Sequence, residues 1–289
     1  MIRPCLFNDD LSHNFDKSVE IAERLGVGYL KLRNVNGKRI SHITAQDVKD
    51  IKEVLKNTSV KLSCIGSPAF SKGCEIADEE MYKEQRRVLD TLFILCQELE
   101  LDKVRVFGFD KPKGEFKKHH LNDYFEQIVE KYLEPVRLAE KAGVTLMLEP
   151  EHETYLGTSE ELSRMVKALD SKNVRICWDV SNAWNAGDKP YPEGYEFVKD
   201  YIVHVHVKDA KIDPVTRTVA SDRITIGTGG IPWVDIFARL HKDGYDGEAT
   251  IECPFAPWTA ELRPYLMEAI TADVVGLHAI LDKAGVPRA

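Results

Sequence analysis

Short apolar runs alternate with helical stretches along the whole of this 289-residue chain, and that alternation restricts its fold more than any other feature. The runs predict strands at about Ile2–Phe7, Tyr29–Leu32, Val60–Ile65 and Val104–Phe107, then Val144–Glu149, Val174–Asp179, Tyr201–His206 and Ala249–Glu252. Helices are predicted between and after them: Asn14–Leu25, Thr44–Leu55, Asp78–Leu99, Leu121–Ala142, Glu160–Leu169, Glu193–Lys199, Trp233–Lys242 and Pro264–Ala284. The boundaries carry chemical signals. Phe15, Val19, Ala22 and Leu25 form a helical stripe closed by Gly26, and Thr44-Ala45-Gln46-Asp47 has the form of a capping box. Strict alternation gives parallel strands joined by right-handed helical crossovers. No Gly-x-Gly-x-x-Gly follows the first strand, as a dinucleotide-binding open sheet would require. The length and the count of eight therefore predict an α/β fold, a single (β/α)8 barrel over residues 1–289.

The last four runs each close on a side chain able to bind a metal: Glu149, Asp179, His206 and Glu252. Strand side chains alternate between the two faces, and the C-terminal strand ends of such a barrel form its mouth. Turning Glu149 inward sends Leu146 and Leu148 outward; turning Asp179 inward does the same for Ile176 and Trp178. His206 inward carries His204 with it, deeper, and Glu252 inward puts Ile251 outside. All four phases agree, so the four side chains are expected to converge. Three carboxylates buried together without a balancing cation would be costly, and a divalent ion removes the conflict. Three carboxylates and one imidazole suit Mn2+ best, with Mg2+ or Co2+ as other possibilities, and leave positions open for substrate oxygens.

Charge and cysteine usage narrow the function further. A net charge of -8 opposes general nucleic-acid binding. Met1-Ile2-Arg3-Pro4 lacks the order of a signal peptide, and no apolar run approaches the ~20 residues of a membrane span, so a cytoplasmic protein is expected. The six cysteines contain no Cys-x-x-Cys pair and are expected to be reduced and mostly buried.

Leu-Glu-Pro-Glu-His (148–152), Cys-Trp-Asp-Val-Ser-Asn (177–182), His-Val-His-Val-Lys-Asp (204–209) and Thr-Ile-Glu (250–252) resemble the xylose isomerase-like TIM-barrel superfamily, including its D-tagatose 3-epimerase-like members. The resemblance covers nearly the whole chain. It implies Glu149, Asp179, His206 and Glu252 as metal ligands, with Glu149 and Glu252 also acting as the acid/base pair on opposite faces of the substrate. Two positions depart from the epimerases: Asn182 stands where a His is common, and Tyr155 where the ketose epimerases carry a Glu. His152, just past a ligand, is a candidate proton carrier, and Lys208 is placed to bind a substrate oxygen at the mouth.

In this chemistry, negative charge develops on oxygen as a proton leaves the neighbouring carbon, and a metal gripping adjacent oxygens stabilises the enediolate. Return of the proton gives isomerisation or epimerisation of a keto sugar or polyol. Expulsion of a β-substituent gives the alternative, a lyase: a dehydratase, or a C-glycoside-cleaving enzyme acting on a 3-keto sugar. A nuclease of the endonuclease IV type would need more His ligands and a DNA-binding face. A sugar-binding or partner subunit would not need an intact ligand set. The expected partner is a small carbohydrate, with a homodimer, homotetramer or partner subunit possible.

The remaining motifs have two readings each. Asp209 either caps a loop or orients a ligand, and His204 packs in the interior. Trp184, Phe255 and Trp258 form an apolar wall for a sugar or simply pack. Gly227-Thr228-Gly229-Gly230, after the polar excursion Lys211–Ile226, is a lid whose amides could meet an anion, or a plain connecting hairpin. His119-His120 reads as solvated surface.

Overall fold

A computed structural model describes residues 1–114, 120–213, 215, 218–252 and 263–288, with the backbone alone at 221–223 and 263–264. Its strands are β1 (Arg3–Phe7), β2 (Tyr29–Leu32), β3 (Asn34–Val35), β4 (Lys38–Arg39), β5 (Lys61–Ala69), β6 (Lys103–Val106), β7 (Thr145–Leu148), β8 (Val174–Asp179), β9 (Ile202–Val207), β10 (Asp209–Ile212), β11 (Val219–Ile224) and β12 (Glu248–Ile251). Its α-helices are α1 (Asn8–Leu11), α2 (Phe15–Arg24), α3 (Ala45–Leu55), α4 (Glu79–Glu98), α5 (Leu121–Ala142), α6 (Ser159–Leu169), α7 (Val180–Asn185), α8 (Tyr195–Val198), α9 (Trp233–Lys242) and α10 (Arg263–Lys283). Eight strands close a barrel in the order β1-β12-β9-β8-β7-β6-β5-β2, as the alternation predicts. The two remaining pairs, β3–β4 and β10–β11, are antiparallel hairpins outside it. No helix among the described residues is long and apolar enough to cross a membrane.

The chain divides into two compact units, and β5 and β9 each run from one into the other. Residues 1–39, 43–63 and 204–289 form the first. There β1 lies between β2 and β12, with Cys5 opposite both Tyr29 and Thr250, and β12 sets Thr250 opposite His206. α3 opens with the predicted capping box: the Thr44 hydroxyl accepts from the Asp47 N–H, and the Asp47 carboxylate accepts from the Thr44 N–H.

Residues 40–42 and 64–203 form the second unit, built on β6, β7 and β8 with Val104, Leu146 and Val174 in register. α5 packs on β7 and α6 on β8. α5 stops at Gly143, whose φ of 70° is the left-handed conformation that glycine adopts without steric cost. Trp178 is fully buried against Tyr195 of α8, ring centroids 5.5 Å apart, which is the outward placement that an inward Asp179 demands. Met147 and Cys177 pack with Cys64 on the other face. Cys5, Cys64, Cys74, Cys96 and Cys177 are all free and buried; Cys253 lies outside the described residues.

Sequence reading misses α1, α7 and the β3–β4 hairpin, and offers the β10–β11 hairpin only as the second reading of its stretch. Four to six residues are too few for a 3.6-residue period to register, and the β10–β11 hairpin lies in a polar stretch with no apolar run to mark it.

Candidate functional site

Each candidate residue leaves a strand end, held there by its own chain. In the second unit the ladder continues one residue past β7, since the Glu149 N–H donates to the Val106 carbonyl at 3.0 Å. Asp179 ends β8 and caps α7, its Oδ1 accepting from the Asn182 N–H at 2.8 Å. The carboxylate is thereby fixed relative to its own backbone. Asn182 reaches back: its Nδ2 donates to Glu149 Oε1 at 3.3 Å and lies 3.5 Å from Glu151 Oε2. The residue that departs from the epimerase pattern thus orients a predicted ligand.

Arg105, which sequence reading passes over, holds the other side of Glu149. Its Nη1 lies 3.0 Å from Glu149 Oε2, both side chains being buried, while Nε and Nη2 donate to the Ser67 and Gly66 carbonyls. The signal was a lone cation inside the predicted apolar run Val104–Phe107. His152 is half-exposed, and its Nδ1 sits 2.6 Å from Glu151 Oε1; that hydrogen bond raises the imidazole pKa. Tyr155 is buried against Tyr124, ring centroids 4.8 Å apart, and burial raises its phenol pKa. A buried phenol therefore replaces a carboxylate there. Trp184 is buried too.

In the first unit, His206 on β9 is fully buried, its ring edge-on to Phe7. Its Nε2 lies 2.7 Å from Nζ of Lys31, a fully buried lysine on β2 that sequence reading also passes over. His204 sits deeper, as predicted, with Nε2 2.7 Å from the Thr250 hydroxyl. Burial, then the nearby Lys31 charge, pushes its pKa well below the ordinary imidazole value. Lys208 donates from Nζ to Glu252 Oε2 at 2.7 Å. The predicted substrate-binding cation thus already grips a predicted ligand. Farther along, Arg33 pairs with Asp9 and Asp10. Burial lifts the Asp10 carboxyl to about 7 despite that pairing.

The Gly227 and Gly229 amides of the glycine loop are not open to an anion. Asp209 accepts from the backbone N–H groups of Ala210, Gly227, Gly229 and Ile231, so the amides offered by the loop are taken by the chain's own carboxylate. A Cβ at Gly229 would fall 2.1 Å from Asp209 Oδ1, which explains the glycine. The loop-capping reading of Asp209 is the observed one. Phe255, Trp258 and His119 lie outside the described residues.

Glu149, Asp179, His206 and Glu252 each offer a ligand atom, and these four atoms lie within 4.8 Å of one another. Opposite donors around an octahedral or larger ion stand about 4–5 Å apart, so the spacing fits a divalent cation. The donor set, three carboxylates and one imidazole, suits a hard or borderline ion. One part of the sequence reading needs correction. The carboxylates do not lack balancing cations, because Arg105 reaches Glu149 and Lys208 reaches Glu252. The case for a metal therefore rests on convergence and donor type rather than on unbalanced charge. Cys177, His204 and His206 form a second such group one step deeper, as expected for positions two residues before Asp179 and His206.

Comparison with known proteins agrees with this architecture. An inosose dehydratase of Clostridium botulinum is 22% identical over 301 residues, spanning 96% of this chain and 94% of that protein. A D-psicose 3-epimerase of Ruminiclostridium cellulolyticum is 30% identical over 134 residues, 45% of this chain and 41% of that protein. An uncharacterised protein of Methanocaldococcus jannaschii is 33% identical over 123 residues; this chain spans about two fifths of its length, 40%, and 41% of the chain is matched. Among solved structures, the IOLI protein with a zinc atom superposes with a TM-score of 0.77 at 17% identity, covering 98% of this chain and 99% of that one. The family described as "Xylose isomerase-like TIM barrel" matches residues 13–269, so this chain belongs to the xylose isomerase-like TIM-barrel family.

Proposed function

We propose that the chain is a divalent-metal-dependent isomerase or epimerase of a keto sugar or polyol. The observation that carries this reading is the convergence of Glu149, Asp179, His206 and Glu252 within 4.8 Å. These four would hold the ion, with Mn2+ favoured by the three carboxylates. When bound, the ion supplies a Lewis acid that stabilises negative charge on substrate oxygens as a proton leaves the adjacent carbon. Glu149 and Glu252 then serve as base and acid, one removing the proton and the other returning it. Arg105 and Asn182 fix the two oxygens of Glu149, so the carboxylate meets the substrate in one orientation. Lys208 does the same for Glu252.

A lyase reading has its own support: the inosose dehydratase match spans nearly the whole chain, whereas the psicose epimerase match spans under half. There His152, held by Glu151, would protonate the departing group. Metal analysis combined with a screen of ketoses, inososes and 3-keto-glycosides, with and without chelator, tests both. A new stereoisomer supports the first reading; loss of water or of an aglycone supports the second. Full activity after metal removal, or in Glu149→Gln, sinks the metal mechanism.

A further inference from the structure

Asp9 and Asp10 have no part in the mechanism above, yet both are buried in the first unit, at 6% and 2% exposure. They sit on α1, which starts directly after β1, on the mouth side of its strand end, and packs on β1, β2 and β3. Arg33 follows β2 by one residue and stands two past the buried Lys31, so it leaves the strand on the same, inward face. Its guanidinium lies 4.3 Å from the centre of the Phe7 ring, and Phe7 is level with Glu252 because Leu6 stands opposite Ile251. Burial, then Asp9, then Glu252 raise the Asp10 carboxyl against the pull of Arg33, which puts Asp10 within electrostatic reach of Glu252. Both Asp9 oxygens are held, by Arg33 Nε at 3.1 and 2.9 Å and by Asn34 Nδ2 at 2.6 Å, and Arg33 Nη2 donates to Asp10 Oδ1. Asp10 Oδ2 is buried and makes no hydrogen bond with any described residue. An unpaired buried carboxylate oxygen is costly, and a chain that keeps one has a use for it.

We propose that Asp10 is a substrate-binding residue: Arg33 holds its Oδ1, and its Oδ2 accepts a hydroxyl of an uncharged carbohydrate. The inference rests on the sugar reading above and narrows its substrate class. The Nε–Nη2 edge of Arg33 could otherwise grip a phosphate or carboxylate with two parallel bonds, but Asp9 and Asp10 of the same chain occupy it. A sugar hydroxyl is a donor and suits the remaining oxygen; a phosphate or carboxylate brings further acceptors and does not. The Arg33 side chain is 22% exposed, so a ligand comes in along the guanidinium and shifts it slightly to reach Oδ2.

The test uses the full chain and its Asp10→Asn variant, which keeps the shape and an acceptor for Arg33 but puts a donor in place of Oδ2. The probes are D-psicose, D-fructose and scyllo-inosose, with the 6-phosphates of both ketoses, each titrated by calorimetry in saturating Mn2+. Wild type should bind at least one uncharged probe about tenfold or more tightly than either phosphate. Asp10→Asn should weaken that binding about tenfold or more. It should melt no lower than wild type in EDTA, since the oxygen it replaces holds no described residue. A residue kept for structure alone would give the reverse, a lower melting temperature with unchanged affinity. Unchanged affinity in the variant, or phosphates bound as tightly as the free sugars, overturns the inference and leaves the sugar reading intact. Failure of the variant to fold also overturns it, because an oxygen reserved for a ligand is not needed for folding. If wild type binds none of these probes, both readings fall.

Discussion

Replacing Arg105 by methionine gives the sharpest test of how the second unit holds Glu149. The substitution keeps an unbranched, roughly volume-filling side chain but removes the guanidinium that lies 3.0 Å from Glu149 Oε2 and donates to the Ser67 and Gly66 carbonyls. Both charged side chains are nearly solvent-free, at 8% and 2% exposure, so screening offsets little of the loss. Deleting one member of a buried pair strands the other charge, which costs about 3–5 kcal/mol. At about 2–4 °C per kcal/mol for a chain somewhat smaller than this one, the melting temperature in EDTA should fall by about 10 °C. The double variant Arg105→Met/Glu149→Gln should recover much of that, because no stranded charge remains. Urea denaturation of the wild type, both single variants and the double variant closes the cycle. A loss under about 1 kcal/mol in Arg105→Met, or strictly additive effects, would refute a coupled buried pair.

Three further outcomes are expected. Burial, reinforced by nearby Asp209, raises the Asp273 carboxyl from 3.8 to about 6, so folding favours its protonated form; its stabilising effect is complete below pH ~4 and disappears as pH rises through ~6. Asp273→Asn, whose amide oxygen can still accept from the Ile226 N–H, should be more stable than wild type above pH ~6 and lose that advantage below pH ~4; a gap independent of pH would contradict this. Gly229→Ala forces a Cβ to within 2.1 Å of Asp209 Oδ1 and should cost about 2 kcal/mol or more by chemical denaturation. Thr158→Ala removes the side-chain half of the α6 capping box and should cost about 1 kcal/mol, with Thr158→Ser close to wild type.

The barrel is legible in the sequence because each of its parts is a local signal. The Thr44 box, the Gly26 stop and the apolar runs ending in Glu149 and Asp179 each depend on residues a few positions apart, and the structure contains them all. Phase along a strand is equally local, so the inward set Glu149, Asp179, His206 and Glu252 could be read without knowing the neighbouring strands. What faces those side chains could not. Lys31 and Arg105 are visible as single charges in apolar runs, but their partners depend on strand order and register. Asp209 shows the same limit from the other direction. Loop capping was one of its two readings, but which amides it would hold could not be read, because those of Gly227 and Gly229 are eighteen and twenty residues away.

That carboxylate also separates two kinds of freedom in the chain. It ties the exit of β9, the far end of the β10–β11 hairpin and the approach to α9 at one point, while Trp233 Nε1 donates to the Lys208 carbonyl beside it. Everything beyond the knot is an appendage whose ends are already joined. Doubling the length of such a loop costs only about 0.6 kcal/mol in closure entropy. The hairpin can therefore lengthen, shorten or change sequence without moving Lys208 from Glu252, which gives this family member a place to vary what surrounds its site while the site stays still.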